Sequence, residues 1–282
     1  MPIPLRFCDS SESYDNSRYV MFGVPFDSTV SFRPGEKFAP NKIREASFNM
    51  ESYSLYRGID LKKSGIFDMG DADEHHDSEE MLEDVYSIVD GIVSDGKFPI
   101  MLGGEHSVTL GAIRRIKGKV VFIDAHTDFR DSYLGQRYSH ACVARRVSEI
   151  VGRENILSIG IRSVSTEEMT NGTQKFFTSY EVNKDSSELM EFLDKFSNVP
   201  VYLSIDFDGF DPSFAPGVGT PEPFGLNPAI IMEILDHIRS GISGLDLTEI
   251  TPLYDNGNTV MLAARIIQEA ISFIESSKNE RK

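Results

Sequence analysis

Val120-Val121-Phe122-Ile123-Asp124-Ala125-His126-Thr127-Asp128 is a β-branched and aromatic run that ends in Asp, His and Asp at alternate positions. A short apolar run of this kind reads as a buried strand. Alternate side chains of an extended chain point the same way. The three polar residues therefore converge beyond the carboxyl end of the strand, where open parallel sheets place their binding crevices. Outward from this segment the same beat recurs. Arg18 to Val24, Gly65 to Met69, Phe98 to Leu102, Lys119 to Ile123, Ile156 to Ile161, Val199 to Ile205 and Ile242 to Leu247 are candidate strands, with Lys175 to Thr178 an eighth. Helical stretches are expected at Asn41 to Asn49, Ser78 to Ser94, Val108 to Ile116, His140 to Val151, Ser186 to Phe196, Pro228 to Arg239 and Asn258 to Ser276. Asn227-Pro228 is a helix start signal, a cap followed by proline. Alternation of strand and helix predicts an α/β fold of three αβα layers around a central, mostly parallel sheet of about eight strands.

Two further strand ends carry polar residues of the same kind. Val201-Tyr202-Leu203-Ser204-Ile205 runs into Asp206-Phe207-Asp208, again two carboxylates on one side. Pro99-Ile100-Met101-Leu102 breaks at Gly103-Gly104, which permit a tight turn, and delivers Glu105-His106-Ser107 to the mouth of the next helix. A lone Asp or His at such a place is commonly a cap or turn residue, whereas three pieces in one βα series point to a shared site. His106, Asp124, His126, Asp128, Asp206 and Asp208 make four carboxylates and two imidazoles. That is too many donors for one tetrahedral zinc, and rich enough in oxygen to suit manganese at two sites. Four carboxylates also balance the charge of two divalent ions.

Composition narrows the partners. Lys and Arg number 28 against 44 Asp and Glu, a net charge of -16, which works against nucleic acid, whose phosphates demand a basic face. An acidic field favours a small cationic substrate. The first residues lack a basic segment followed by an apolar run, and no uncharged stretch approaches the roughly 18 to 20 residues that a membrane span needs. With only Cys8 and Cys142, a structural disulfide is not expected and a cytoplasmic location is. The chain reads as a single domain over 1–282, with a frayed tail from Ser276 to Lys282. Asp27 to Pro40, Phe129 to Ser139 and Gly209 to Leu226 read as functional loops.

Gly103 to Ser107, Asp124 to Asp128, Ser204 to Pro212 and Leu245 to Glu249 resemble, in order and rough spacing, the four signature regions of the ureohydrolases, the arginase and agmatinase family. Gly23-Val24-Pro25-Phe26-Asp27 and Arg33-Pro34-Gly35 are similar to the agmatinase branch, and the likeness covers nearly the whole chain. The resemblance implies an arginase/deacetylase-like fold and two Mn2+ ions. One would be held by His106, Asp124, Asp128 and Asp206, the other by Asp124, His126, Asp206 and Asp208, with a metal-bridging hydroxide as nucleophile. It further implies Glu249 as the carboxylate that orients the guanidinium, and His140 as the group that transfers a proton to the departing amine. A homo-oligomer, trimer or hexamer, is likewise implied. Glu105 stands where the family commonly has Asp, and Ala141 where a Gly usually follows the histidine.

The expected reaction is hydrolysis of agmatine to putrescine and urea. The alternatives are a ureohydrolase acting on N1-aminopropylagmatine, guanidinobutyrate or arginine. Arginase meets an α-carboxylate through polar residues of the loop after Asp128, and Phe129 to Ser139 does not look like that loop. The roles of Arg130, Asp131 and Arg137 stay open, since an inward arginine would meet an acid. A two-metal phosphoesterase built on Asp124-Ala125-His126 and Gly70-Asp71 would need more histidines, and a deacetylase on the related fold would not need His106 and Asp128. A non-catalytic regulatory subunit is opposed by the intact donor set. His75, His76 and His237 are expected to be solvated or structural.

Overall fold

The computed structural model describes residues 5–116, 118–196 and 199–280. Its strands are β1 (Tyr19–Gly23), β2 (Tyr53–Ser54), β3 (Ile59–Asp60), β4 (Ile66–Asp71), β5 (Phe98–Leu102), β6 (Lys119–Ile123), β7 (Ile156–Ile161), β8 (Lys175–Thr178), β9 (Val201–Asp206) and β10 (Ile242–Thr248). The α-helices are α1 (Ala39–Ser47), α2 (Ser78–Ser94), α3 (Thr109–Ile113), α4 (Val143–Val151), α5 (Thr166–Asn171), α6 (Ser179–Lys184), α7 (Ser187–Leu193), α8 (Ile230–Ile238) and α9 (Asn258–Glu280). Among the described residues, eight strands form one sheet in the order β4-β1-β5-β10-β9-β6-β7-β8. Every pairing in it is parallel. β2 and β3 form a separate antiparallel pair.

Burial on both faces explains why these strands read as continuous apolar runs rather than alternating ones. Val121 and Ile123 of β6 point to one side with Tyr19, Met21, Leu203 and Ile205, where α1, α8 and α9 cover them. Val120 and Phe122 point to the other, with Val20, Phe22 and Met101, under α2, α3 and α4. Three layers result, as the alternation of strand and helix predicts. Each fully buried Leu, Ile or Phe contributes about 1.5–3 kcal/mol, so the sheet is anchored by its two covered faces.

Strand order creates the site. After β5 the chain crosses to β6, leaving a gap that β10 and β9 later fill. Leu102 of β5 pairs with Leu247 of β10, Leu247 with Ile205 of β9, and Ile205 with Ile123 of β6. Four carboxyl ends therefore stand side by side at the centre of the sheet.

Most element boundaries agree with the sequence within a residue or two. α1 starts at Ala39 rather than Asn41, because Pro40 is accepted in the first turn. The tail expectation needs correcting: α9 continues to Glu280, with Ile271, Phe273 and Ile274 buried, so Ser276 to Glu280 is helical, and residues 281–282 lie outside the described residues. α5 and α6 were not expected, yet Ser165 with Glu168 and Thr178 with Glu181 form capping boxes at their starts, a signal written in the sequence. Cys8 and Cys142 are both free thiols. Among the described residues no helix is long and apolar enough to cross a membrane.

Candidate metal centre and active site

β6, β9 and the turn after β5 bring all six expected donors together. Nδ1 of His106 lies 3.1 Å from Asp206, 3.2 Å from Asp128 and 3.4 Å from Asp124. Nδ1 of His126 lies 2.9 Å from Asp208 and 3.8 Å from Asp124. Two groups offer ligand atoms all within 4.8 Å of one another, His106 with Asp124 and Asp128, and Asp124 with His126 and Asp208. Asp124 belongs to both, and Asp206 touches the first through His106 without joining either group.

Local structure fixes these side chains before any ion arrives. Asp124 accepts from the His126 amide at 2.6 Å, Asp206 from the Asp208 amide at 2.9 Å, and Asp208 from the Ala125 amide at 3.1 Å. The second Asp208 oxygen accepts the Thr220 hydroxyl at 2.9 Å. Arg162 donates to the carbonyls of Asp208 (2.6 Å), Gly209 (3.1 Å) and Glu222 (2.7 Å), clamping the turn that carries Asp208. Asp128 adopts φ 46° and Glu249 φ 61°, left-handed backbone that costs a non-glycine residue of order 1–3 kcal/mol and clusters at functional sites. At Gly104 a Cβ would stand 1.9 Å from the Phe26 carbonyl oxygen, so the turn before His106 requires glycine.

The donor set can be tested against a metal on stereochemistry. Ser204 gives its proton to Asp246 at 2.6 Å, so at His106 Nε2, 3.1 Å away, its oxygen can only accept. Nε2 then carries the hydrogen, and the Nδ1 lone pair faces three carboxylates. Only a cation or a proton makes that arrangement favourable, and second partners of this type are what orient metal-binding imidazoles. Electrostatics agree. Burial, then Asp128, pushes Asp124 up to about 7, and burial with Asp208 and Asp124 pushes Asp206 well above the usual carboxylate range. Burial alone would lower His106 and His126, but the surrounding aspartates outweigh it and raise both. The cluster is short of positive charge, and the residues fit divalent cations.

A cavity of about 290 Å³ opens onto the cluster, lined by His126, Asp128, Asp206 and Asp208 together with His140 and Glu249. Oε1 of Glu249 accepts the His106 amide at 2.6 Å, and its own amide donates to the Gly104 carbonyl at 2.9 Å. Burial, then Asp206 and Glu36, raises the Glu249 carboxyl well above the ordinary glutamate value. His140 opens a short 3-10 turn capped by Ser139, and burial lowers its imidazole below the ordinary value.

Sequence reasoning did not single out Glu168, Arg162, Asp246 or Thr29. Glu168 accepts the Thr127 hydroxyl at 2.7 Å and the Phe129 amide at 2.9 Å, on either side of Asp128. Its capping box was the available signal. The loop after Asp128 divides. Arg130 lines the cavity, 5.0 Å over the Tyr133 ring and 3.9 Å from Glu168. Arg137 turns outward to Glu149 (2.9 Å) and Asp131 (3.6 Å), and Asp131 also meets Arg146 at 2.7 Å. His75 pairs with Asp84, and His237 with Asp194, away from the cluster. Asp71 is paired with Arg44.

Fold and site together define a three-layer αβα hydrolase whose clustered donors could hold a binuclear metal centre. The arginase family profile matches residues 17–272, and the chain belongs to that family, the ureohydrolases, whose members hydrolyse amidines. An agmatinase from Halalkalibacterium halodurans is 37% identical over 277 residues, 94% of this chain and 95% of its own length. An N(1)-aminopropylagmatine ureohydrolase from Thermococcus kodakarensis is 36% identical over 261 residues, 90% of this chain and 89% of its own. The crystal structure of the agmatine ureohydrolase of Thermoplasma volcanium superposes with a TM-score of 0.96 at 45% identity, covering 99% of this chain and 97% of that one.

Proposed function

We propose that residues 1–282 act as one ureohydrolase domain that hydrolyses agmatine to putrescine and urea with two Mn2+ ions, held by His106, Asp124, His126, Asp128, Asp206 and Asp208. The observation that carries this reading is that Glu249 and His140 line the same cavity as the donor cluster. When bound, the two divalent ions make hydroxide available near neutral pH by lowering the pKa of water. Glu249 has committed Oε1 to the His106 amide, which leaves Oε2 to accept from a guanidinium N–H and hold the cation in place. His140, whose imidazole burial shifts toward the neutral form, takes up a proton as water adds to the guanidinium carbon. It returns that proton to the amine nitrogen as the C–N bond breaks.

Similarity to an agmatinase and to an N(1)-aminopropylagmatine ureohydrolase supports this substrate class. Agmatine, lacking a carboxylate, is favoured because Arg137 is committed to Glu149 and Asp131, so only Arg130 of the two loop arginines remains to meet an acid. Urea release by manganese-loaded protein from agmatine, N1-aminopropylagmatine, guanidinobutyrate and arginine tests the reading, and agmatine should give the highest kcat/KM. No urea from any of the four with manganese bound rejects it. His126→Ala should lose one metal ion and nearly all turnover, while His75→Ala, which removes a side chain paired with Glu80 and Asp84, should leave both unchanged. A cytoplasmic homo-oligomer, trimer or hexamer, completes the proposal, and sedimentation velocity reads the assembly.

A further inference from the structure

A buried polar chain runs from Glu105 to the cavity. Glu105 is fully buried and carries three donors: the Thr29 amide on Oε2 at 2.6 Å, and the hydroxyls of Thr29 and Ser107 on Oε1, each at 2.6 Å. The Thr29 oxygen is in turn 3.1 Å from Nδ1 of His140 and accepts the His140 amide at 3.1 Å. A threonine hydroxyl has one proton. Once that proton points at Glu105, the oxygen can only accept at the ring. Ser139 Oγ also lies near Nδ1, at the longer distance of 3.4 Å. Were it to donate there, the bare Nδ1 would face the Thr29 lone pairs at 3.1 Å, an unfavourable contact.

We propose that Glu105 and Thr29 are positioning residues for His140. Glu105 draws the Thr29 proton, Thr29 accepts the Nδ1–H of His140, and the imidazole is thereby held in the tautomer whose bare nitrogen, Nε2, is free for the cavity. The inference rests on the reading of His140 as the proton-transfer group. It gives the step its balance: the proton from the attacking water is received on Nε2, the imidazolium is stabilised through Nδ1–H by Thr29 and Glu105, and the same proton leaves with the amine. The length of Glu105 lets one carboxylate reach both the amide and the hydroxyl of Thr29. A carboxylate acting on a histidine through its second nitrogen fixes the tautomer in unrelated hydrolases; here a hydroxyl stands between the two.

Solid-state 15N spectra of the full chain labelled at histidine, metal-free or with Mg2+, read the tautomer directly, with His140→Asn assigning the signal. At about pH 8, where a histidine of ordinary pKa is neutral, His140 should carry its hydrogen on Nδ1. Thr29→Val keeps the shape and the amide bond to Glu105, and should release the ring to a mixture of tautomers. Thr29→Ser should restore the wild-type signal. With manganese and agmatine, Thr29→Val should lower kcat about 10- to 100-fold with KM and metal content little changed. The acidic limb that vanishes in His140→Asn should move to lower pH, because the imidazolium loses an acceptor. Asp128, Asp208, His106 and His126 also act on this ring through space, and the Val and Ser variants leave them all in place. A wild-type His140 with hydrogen on Nε2, or a Thr29→Val protein with unchanged tautomer, kcat and pH profile, overturns the inference. Should Thr29→Val fail to fold, the wild-type and Thr29→Ser spectra decide. A protein with the expected tautomer that releases no urea would sink the hydrolytic reading alone.

Discussion

Replacing Glu168 by Gln should loosen the Asp128 segment while leaving every group of the metal cluster in the chain. Oε1 of Glu168 accepts the Thr127 hydroxyl at 2.7 Å and the Phe129 amide at 2.9 Å, and Oε2 accepts the Ser165 amide at 3.1 Å and hydroxyl at 2.6 Å. A glutamine must turn its NH2 toward one pair. The hydroxyl of that pair can rotate and accept, but the backbone amide cannot, so either the buried Phe129 N–H or the half-buried Ser165 N–H loses its acceptor. That loss costs about 1–3 kcal/mol, and the surviving bonds lose their charge-assisted strength, for a total of roughly 3 kcal/mol. At about 2–4 °C per kcal/mol for a large domain, the melting temperature should fall by roughly 6–12 °C. Asp128, held at φ 46° between the two Glu168-bound residues, should relax, and affinity for one of the two ions should drop about tenfold or more, as for other residues that orient ligands.

The pH dependence has a definite sign. Burial alone would raise Glu168, but hydrogen bonds from Ser165, Thr127 and the Phe129 amide outweigh it and hold the carboxyl below its ordinary value of 4.5. A depressed folded pKa contributes stability that is fully present above the unfolded value and is lost as pH falls through the folded one. The gap in melting temperature between wild type and Glu168→Gln should therefore stay constant from about pH 8 to about pH 5 and close at lower pH. Calorimetry with and without manganese measures both parts. A variant with wild-type melting temperature and undiminished affinity for both ions would refute the reasoning.

Two further perturbations probe the same site. Because Asp124 is pushed up to about 7 and Asp206 well above the usual carboxylate range, the metal-free cluster holds protons that a divalent ion displaces. Manganese titrated into weakly buffered protein should release more protons at about pH 6.5 than at about pH 8, and at 100 times its Kd it should stabilise the fold by about 2.7 kcal/mol; absence of proton release at the lower pH would count against the cluster. Gly104→Ala sets a methyl 1.9 Å from the Phe26 carbonyl oxygen and 2.8 Å from the Phe26 amide nitrogen, backbone that cannot swing aside, so it should cost about 3 kcal/mol or more and misplace His106. Wild-type melting and metal content in that variant would show the turn to be more tolerant than the geometry allows.

The strand ends were legible because two periodicities coincide there: a buried apolar run, and polar residues at every second position after it, as in Asp124, His126 and Asp128. His106 was legible through the two glycines that make its turn possible. Glu249 and His140 were legible only through resemblance, since one acid after a strand and one histidine at a helix start carry no periodic signal. Thr29, Glu168, Asp246 and Arg162 escaped because their roles are created by tertiary contact. Thr29 meets His140 across 111 positions and Glu168 meets Thr127 across 41, separations at which no local pattern survives. The short helix holding Glu168 could have been found from its Ser165-x-x-Glu168 box, but not what that glutamate grips.

The left-handed backbone at Asp128 and Glu249 has a consequence for anyone who evolves this protein in the laboratory. Asn or Gly would sit at either position with less torsional penalty and without a buried negative charge. A library ranked by heat resistance alone, in buffers free of divalent ions, would thus drift toward sturdy proteins that have surrendered their chemistry. If manganese is held as proposed, keeping it in the selection medium would reverse the incentive at Asp128, since there a bound ion would reward the awkward aspartate. At Glu249 only a screen for urea release protects the residue.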